Sequence, residues 1–145
     1  MVSGASRIGA AQTTVSKPTV TQDASCPYRD FAAFISAFSE QPNLQRRFTI
    51  FPLKYQDYDD DFNLKASVIS SFEAVPTFNP EFGRTIFANA KQRKSQKLEI
   101  EIEREKQNEF RDVVLVVPDT GVNVHYLFKK TEKCWFLYEI RDTST

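Results

Sequence analysis

The sequence has little of what metal, phosphate and nucleophilic sites require. Its 145 residues include one His, two Cys and four Gly, and the glycines are not clustered. A structural zinc site needs paired Cys or His ligands, and a phosphate-binding loop needs closely spaced glycines, so neither is predicted. No nucleophile elbow surrounds a serine. We therefore expect no metal, no cofactor and no enzymatic activity.

An excess of charge of either sign is also missing. Lys plus Arg and Asp plus Glu number 19 each, so the formal net charge is zero. A nucleic-acid-binding protein needs a basic excess to displace counterions from phosphates, so nucleic acid is not an expected partner. No run of about 18 apolar residues, the minimum for a membrane-spanning helix, occurs either.

The last third of the chain alternates apolar and polar residues in four consecutive segments. The first covers residues 98–103, where Leu and Ile face one way and Glu the other; the others are Asp112–Val117, Val122–Lys129 and Lys133–Arg141. Alternation with a period of two, bounded by turn residues, predicts strands. Four strands in a row predict an antiparallel meander with one apolar and one polar face.

The residues before this meander predict helices. Phe31, Phe34, Ile35 and Phe38 fall at i, i+3, i+4 and i+7, which indicates one amphipathic helix, with Ser25 as a candidate cap. The apolar stripe of this helix is expected to pack on the apolar face of the sheet. Helices followed by strands predict an α+β fold.

Four shorter segments complete the prediction. We expect a short helix or turn around Asn43–Arg47. A strand is expected at Phe48–Leu53, as an edge strand or as the entry of a strand, because Pro52 lacks a donor. Apolar spacing favours a helix over Phe62–Phe72, and Phe82–Ala90 indicates a turn followed by a short helix.

Length and composition indicate one domain. The chain has the commonest size for a single core, so we expect one α+β domain over residues 26–145. Residues 1–25 are rich in Ser, Thr, Ala, Gln and Val without apolar periodicity, and they contain no apolar core of a signal peptide. We expect them to form a disordered tether, and we expect a native export signal to be absent from this chain.

The two cysteines bear on the compartment. Cys26 precedes the first predicted helix, and Cys134 opens the last predicted strand. In an exported protein, two such thiols would most simply form one disulfide, and we expect this bridge together with a periplasmic or otherwise exported location. The alternative is two unpaired thiols in a cytosolic protein, and spacing alone does not decide between them.

The order of elements and three motifs resemble the nuclear-transport-factor-two-like (NTF2-like), or cystatin-like, superfamily. The motifs are Phe31-x-x-Phe34-x-x-x-Phe38, Phe51-Pro52-Leu53 and Trp135-x-Leu137-x-x-Ile140-x-Asp142. More narrowly, they resemble an uncharacterised bacterial family of exported proteins and lipoproteins over residues 26–143. The resemblance implies N-terminal helices packed into the concave face of a curved antiparallel sheet. Enzymes of this superfamily usually place Asp and His inside that cone.

An acidic run lies between the predicted helices. Asp57, Asp59 and Asp61 stand at positions one, three and five of a calcium-loop spacing, and carboxylates are the hard ligands that calcium takes. The EF-hand pattern then fails, because Phe62 replaces the glycine and Val68 the bidentate Glu. A solvated acidic loop remains an alternative.

The same run forms a candidate protein-binding site with the tyrosines beside it. Its residues are Tyr55, Tyr58, Asp59, Asp60 and Asp61. Tyrosines offer a large contact area at low entropic cost, and carboxylates steer a basic partner.

A candidate pocket is suggested by the strands. His125 and Tyr126 are neighbours on one predicted strand, and Trp135 opens an aromatic segment that is apolar on both faces. A histidine acting as a general base needs a carboxylate within hydrogen-bond reach, and Asp119 and Asp142 are conceivable partners. A half-exposed sheet histidine is the alternative interpretation.

These observations favour a binding role over a catalytic one. The leading hypothesis is a non-catalytic exported protein-binding domain, more narrowly a periplasmic immunity or inhibitor protein that occludes a bacterial toxin effector. The alternatives are a small-ligand-binding or enzymatic cone that uses His125, and a homodimer formed through the open sheet face.

Overall fold

The fold is described by a computed structural model over residues 26, 28–76, 84–104 and 109–145. In chain order its elements are α1 (Phe31–Glu40), α2 (Pro42–Arg47), β1 (Thr49–Tyr58), β2 (Leu64–Ile69), a 3-10 helix (Phe72–Ala74), α3 (Ala90–Gln96), β3 (Glu99–Arg104), β4 (Phe110–Val116), β5 (Asn123–Thr131) and β6 (Cys134–Asp142). The predicted tether at residues 1–25 lies outside the described residues. None of the described helices has the length and hydropathy of a membrane span.

The six strands in the described part of the chain form one sheet in the order β2-β1-β6-β5-β4-β3. Strands β3 to β6 make the predicted antiparallel meander. The sheet is mixed rather than wholly antiparallel, because β1 pairs in parallel with β6. Of the two alternatives for Pro52, the edge strand is wrong, because β1 pairs on both sides. Pro52 lies near the start of β1, where the β1–β6 register shifts between Thr49 and Lys54 and before the β1–β2 pairing begins at Leu53. Its missing N–H therefore removes no regular ladder bond.

Two sequence-based predictions of helices are wrong. The segment predicted as a helix at Phe62–Phe72 contains strand β2, which pairs with β1 in an antiparallel hairpin; cross-strand pairing outweighs its weak helical spacing. In the second segment, Phe82–Ala90, residues 82 and 83 lie outside the described part, residues 84–89 form no helix, and α3 begins only at Ala90. Asn89 caps it in a reciprocal capping box with Gln92.

Helix α1 carries the apolar stripe that was predicted, and it covers one face of the sheet, here called the inner face. Its cap is Asp30, whose carboxylate accepts a hydrogen bond from the Ala33 N–H at 3.1 Å, in place of the predicted Ser25. Phe34 and Phe38 are buried and contact the ring of Phe128 on β5, with centroids 5.8 and 5.3 Å apart. This aromatic contact fills the middle of the inner face.

A buried amide ties the helices to the segment before α3. The Gln45 side chain is fully buried, donates to the carbonyls of Phe38 (2.8 Å) and Phe87 (3.3 Å), and accepts from the N–H of Ile86 (2.6 Å). These bonds satisfy backbone groups that no helix or strand would pair. They fix Ile86 and Phe87 against the inner face, where Phe87 contacts Tyr126 at 4.8 Å between ring centroids.

Candidate functional site

The end of the fold where the chain enters α1 is closed by a disulfide. Cys26 and Cys134 are bonded with their Cα atoms 5.3 Å apart, which confirms the predicted bridge. Beside it, the Trp135 indole N–H donates to the carbonyl of Arg29 at 3.1 Å, and its ring lies 4.9 Å from that of Phe31. Trp135 thus holds the N-terminal segment on the sheet.

One candidate ligand site is a small cavity at the inner face, partly open to solvent. Its volume is about 140 Å³, and its lining residues are Tyr55, Val75, Pro76, Ile86, Val124, Tyr126, Ile140 and Asp142. An apolar cavity of roughly 150 Å³ holds one benzene ring. The space therefore suits a single-ring molecule, with mostly apolar walls and three polar side chains.

The two tyrosines of the cavity stay protonated far above neutral pH. Burial, followed by the charges of Asp142 and Asp57, raises the pKa of Tyr55 to about 12. Burial, followed by Tyr55 and Asp142, raises the pKa of Tyr126 well above its usual value. The Tyr126 hydroxyl donates to the carbonyl of Ile86 at 3.1 Å, whereas the Tyr55 hydroxyl bonds to no other residue in the described part of the chain. Tyr55 is therefore the available neutral donor, and Asp142 offers carboxylate oxygens as acceptors.

His125 does not belong to this cavity. Successive residues of β5 face opposite sides of the sheet, so His125 lies on the outer face while Tyr126 lies on the inner one. Its Nδ1 is 2.9 and 3.0 Å from the two carboxylate oxygens of Asp112, not near Asp119 or Asp142. The sequence held a signal for this contact. If the residues of β4 and β5 are paired outward from the turn between the two strands, Asp112 lies diagonally across from His125.

The predicted pocket residues are thus separated. Tyr126 lines the cavity, His125 lies on the outer face, and Trp135 packs near the disulfide. On the outer face His125 stands opposite Arg141, which is paired with Glu139 at 2.7 Å. The His125–Asp112 contact and the Arg141–Glu139 ion pair form a polar strip on that face.

The hairpin between β1 and β2 turns through three residues and is held by Asp59. The Asp59 N–H donates to the carbonyl of Asn63 (3.0 Å), and the Phe62 N–H donates to the carbonyl of Asp59 (2.9 Å). One carboxylate oxygen of Asp59 accepts the N–H groups of Asp61 and Asn63, both at 2.9 Å. The Asn63 N–H is the main cause that lowers the pKa of Asp59. Asp59 is therefore committed to the turn itself.

Phe62 at the hairpin tip was not singled out as a binding residue from the sequence. Its φ is 63° and its side chain is 69% exposed. Three-residue hairpin loops commonly end in a left-handed residue, usually glycine. The available signal was a phenylalanine directly after Asp59-Asp60-Asp61, where a turn would call for glycine.

The predicted protein-binding residues largely stay together. Tyr58, Asp60 and Asp61 are exposed at the hairpin, Asp59 is partly exposed, and Tyr55 turns away into the cavity. Across the residues that the structure describes, no three His, Cys, Asp or Glu side chains are placed to hold a metal ion.

Comparisons with known proteins concern the fold. The sequence matches no protein-family model, and no curated protein matches it significantly. An NTF2-like protein from Bacteroides fragilis has a similar structure, with a TM-score of 0.56 and 16% identity over 91% of this chain and 53% of that one. This chain therefore spans about half of that protein's length.

Two further solved structures are more distant. An NTF2-like protein of unknown function from Shewanella baltica has a TM-score of 0.47 and 11% identity, over 89% of this chain and 98% of that one. A DUF4783 family protein from Bacteroides uniformis has a TM-score of 0.43 and 15% identity, over 79% and 95%. Together with the six-stranded sheet and its covering helices, the Bacteroides fragilis match shows that this chain has an NTF2-like α+β fold.

Proposed function

We propose that this chain is a non-catalytic, exported protein-binding domain that docks on its partner through the tip of the β1–β2 hairpin. The observation that carries the proposal is Phe62, an exposed aromatic residue held at φ 63°. A left-handed conformation costs a non-glycine residue about 1–2 kcal/mol. Because the exposed ring gains little from burial within the chain, a contact outside the chain would account for its presence.

The chemistry of the tip indicates the kind of partner. Tyr58 and Phe62 present apolar rings, and Asp60 and Asp61 present carboxylates that are exposed beside them. Buried aromatic anchors dominate binding energy in protein interfaces, whereas rim charges mainly raise the association rate. We therefore expect a partner with an apolar pocket bordered by Lys or Arg.

A bacterial toxin effector is our leading candidate for that partner. The chain would act as an immunity or inhibitor protein and block the effector sterically. The Cys26–Cys134 disulfide supports a periplasmic or otherwise exported location, because such bonds persist in oxidising compartments.

The test is co-purification with the protein encoded beside this chain, using matched glycine substitutions. Phe62→Gly removes the ring and the backbone strain together, so we expect weaker binding, by about tenfold or more, together with a higher melting temperature. Glu132→Gly is the control, because Glu132 has a φ of 59° in the exposed β5–β6 turn. It should raise the melting temperature and leave binding unchanged.

Two results would contradict the proposal. A chain that binds no protein encoded beside it would remove the support for an immunity role. A partner that binds Phe62→Gly as tightly as the unchanged chain would show that its contact lies elsewhere.

The cavity favours a second candidate, the binding of a small ring compound with a polar substituent. This candidate uses the Tyr55 hydroxyl and the Asp142 carboxylate rather than His125, whose ring lies on the other face. Phenol and toluene are suitable probes, because only phenol has a hydroxyl that can donate a hydrogen bond to the Asp142 carboxylate. Chemical-shift changes at the cavity with phenol, reduced in Asp142→Asn, would support it, and the absence of binding by either probe would reject it.

A further inference from the structure

Strand β2 leaves one side of the sheet open. Among the residues that the structure describes it pairs with β1 alone and so forms an edge of the sheet, and residues 64–68 are all exposed. Leu64 and Val68 are 56% and 63% exposed and lie on the outer face together with Ala66. Edge strands are usually protected by charges or proline, but this strand carries only Lys65 as a charge and no proline.

The register of β2 defines which of its backbone N–H and C=O groups point away from β1; these are called outward groups. Asp59 and Asn63 form a hydrogen-bonded pair, and the β1–β2 register continues without a shift to Leu53 and Ile69. Hydrogen-bonded and non-bonded pairs alternate in an antiparallel ladder. The N–H and C=O groups of Asn63, Lys65, Ser67 and Ile69 therefore point to β1, and those of Leu64, Ala66 and Val68 point away from it.

We propose that two copies of the chain pair through β2, antiparallel, about a twofold axis at Ala66. In this register Ala66 faces Ala66 of the other copy, and Leu64 faces Val68. Each of these facing pairs uses the outward N–H and C=O groups, so each exchanges two hydrogen bonds. The side chains that meet are apolar and lie on the same face, which gives cross-strand contacts along the whole strand.

Neighbouring registers fit less well. An axis at Lys65 would place two lysines directly opposite each other, which is destabilising. An axis at Ser67 would leave Leu64 opposite Ser70, which lies beyond the end of β2, so fewer outward groups of the strand would be paired. Only the axis at Ala66 combines the full set of outward groups with contacts between Leu64 and Val68.

The register also avoids electrostatic repulsion along the strand. Lys65 of one copy faces Ser67 of the other, so no like charges meet along the strand. Beyond the strand, the acidic tip at Asp60 and Asp61 extends toward the 3-10 helix of the other copy. Arg46 lies there, over the ring of Phe72 and paired with Glu73.

The interface is small, so the dimer should be weak and depend on concentration. A single strand from each copy buries less than the standard protein interface, which is about 1,600 Å². The proposal is independent of the binding partner proposed above, since a monomeric variant can still be tested for that binding.

The first test is sedimentation velocity over a concentration series. The unchanged chain should shift toward twice the monomer mass as concentration rises. Ala66→Lys places two charges opposite each other at the axis and should weaken association by about tenfold or more. The control is Ile102→Lys on the opposite edge strand, where Ile102 is 46% exposed; it should associate like the unchanged chain.

The second test fixes the register through cysteine crosslinking. Facing Cα atoms in a hydrogen-bonded antiparallel pair are about 5.5 Å apart, within the range of a disulfide. Ala66→Cys should therefore give a covalent dimer on mild oxidation, whereas Ser67→Cys, which faces Lys65, should not. A chain that remains monomeric at every concentration would overturn the proposal, as would crosslinking through Ser67→Cys instead or association that Ala66→Lys leaves unchanged.

Discussion

The two halves of the sheet use aromatic residues in opposite ways. Under the helices, Phe34, Phe38 and Phe128 are buried in mutual contact. At the β1–β2 hairpin, Tyr58 and Phe62 are exposed. The same residue types stabilise the fold in the covered half and offer contact area in the uncovered half. The position of the helices on the sheet, rather than composition, decides which role a ring has.

The most direct test of this difference between the two halves is to remove one phenylalanine from each. Phe38 is 0% exposed, so Phe38→Ala should lower the free energy of unfolding by about 3–5 kcal/mol. Phe62→Ala removes a ring that is largely in water and should change it by less than about 0.5 kcal/mol. Denaturant unfolding followed by circular dichroism measures both. Similar losses from the two variants would mean that the hairpin tip is packed.

The second prediction compares a fully buried amide, Gln45, with a partly buried one in the hairpin half, Gln56. Gln45→Ala leaves the carbonyl of Phe38 and the N–H of Ile86 without their partner in a buried setting. We expect a loss of roughly 2–4 kcal/mol, because each unsatisfied buried group costs about 1–3 kcal/mol. Gln56→Ala, in the hairpin half, is the control and should be nearly neutral. A small effect at Gln45 would show that water replaces its bonds.

The third prediction concerns Tyr55, which lies between the two halves. Its pKa is raised to about 12, mainly by burial, so the folded state favours the neutral phenol more than the unfolded state does. Stability from this group is therefore present below about pH 10, the unfolded value, and is lost as pH rises toward 12. Tyr55→Phe should remove part of this alkaline loss. Tyrosinate absorbance during alkaline unfolding measures it, and ionisation of Tyr55 near its ordinary pKa would contradict the burial.

The covered half could be predicted from sequence because its signals are local. The spacing of Phe31, Phe34 and Phe38 and the alternation after Leu98 specify one helix face and one sheet face. Even there the prediction stopped at the edge: Ile100 and Ile102 alternate as an inner face should, but they are 38% and 46% exposed because β3 is an edge strand. Periodicity predicts which face of the sheet a residue lies on, but it does not predict how far the helices cover that face.

The uncovered half was harder to predict, for a physical reason. Residues 64–69 form a strand because Asp59 bonds the turn and brings β2 against β1, and this pairing has no local periodic signal. The candidate site was divided for the same reason. Tyr55 and Tyr58 are close in sequence but lie on opposite faces of β1, which could be seen only once the segment was known to be a strand.

The smallest effect should come from Asp59, and it sharpens the comparison within the hairpin. The N–H group of Asn63 lowers the pKa of Asp59, so the stabilisation of the turn is present above the ordinary carboxyl value and is lost as pH falls through the lowered one. Asp59→Ala should speed amide exchange at Asp61 and Asn63 and lower the melting temperature only slightly, since it removes two hydrogen bonds at an exposed tip and no contact with the core. Asp60→Ala is the matched control in the same turn and should leave that exchange unchanged. A large drop in melting temperature with Asp59→Ala would mean that the hairpin and the covered half unfold as one unit. The two halves would then differ in structure but not in their stability.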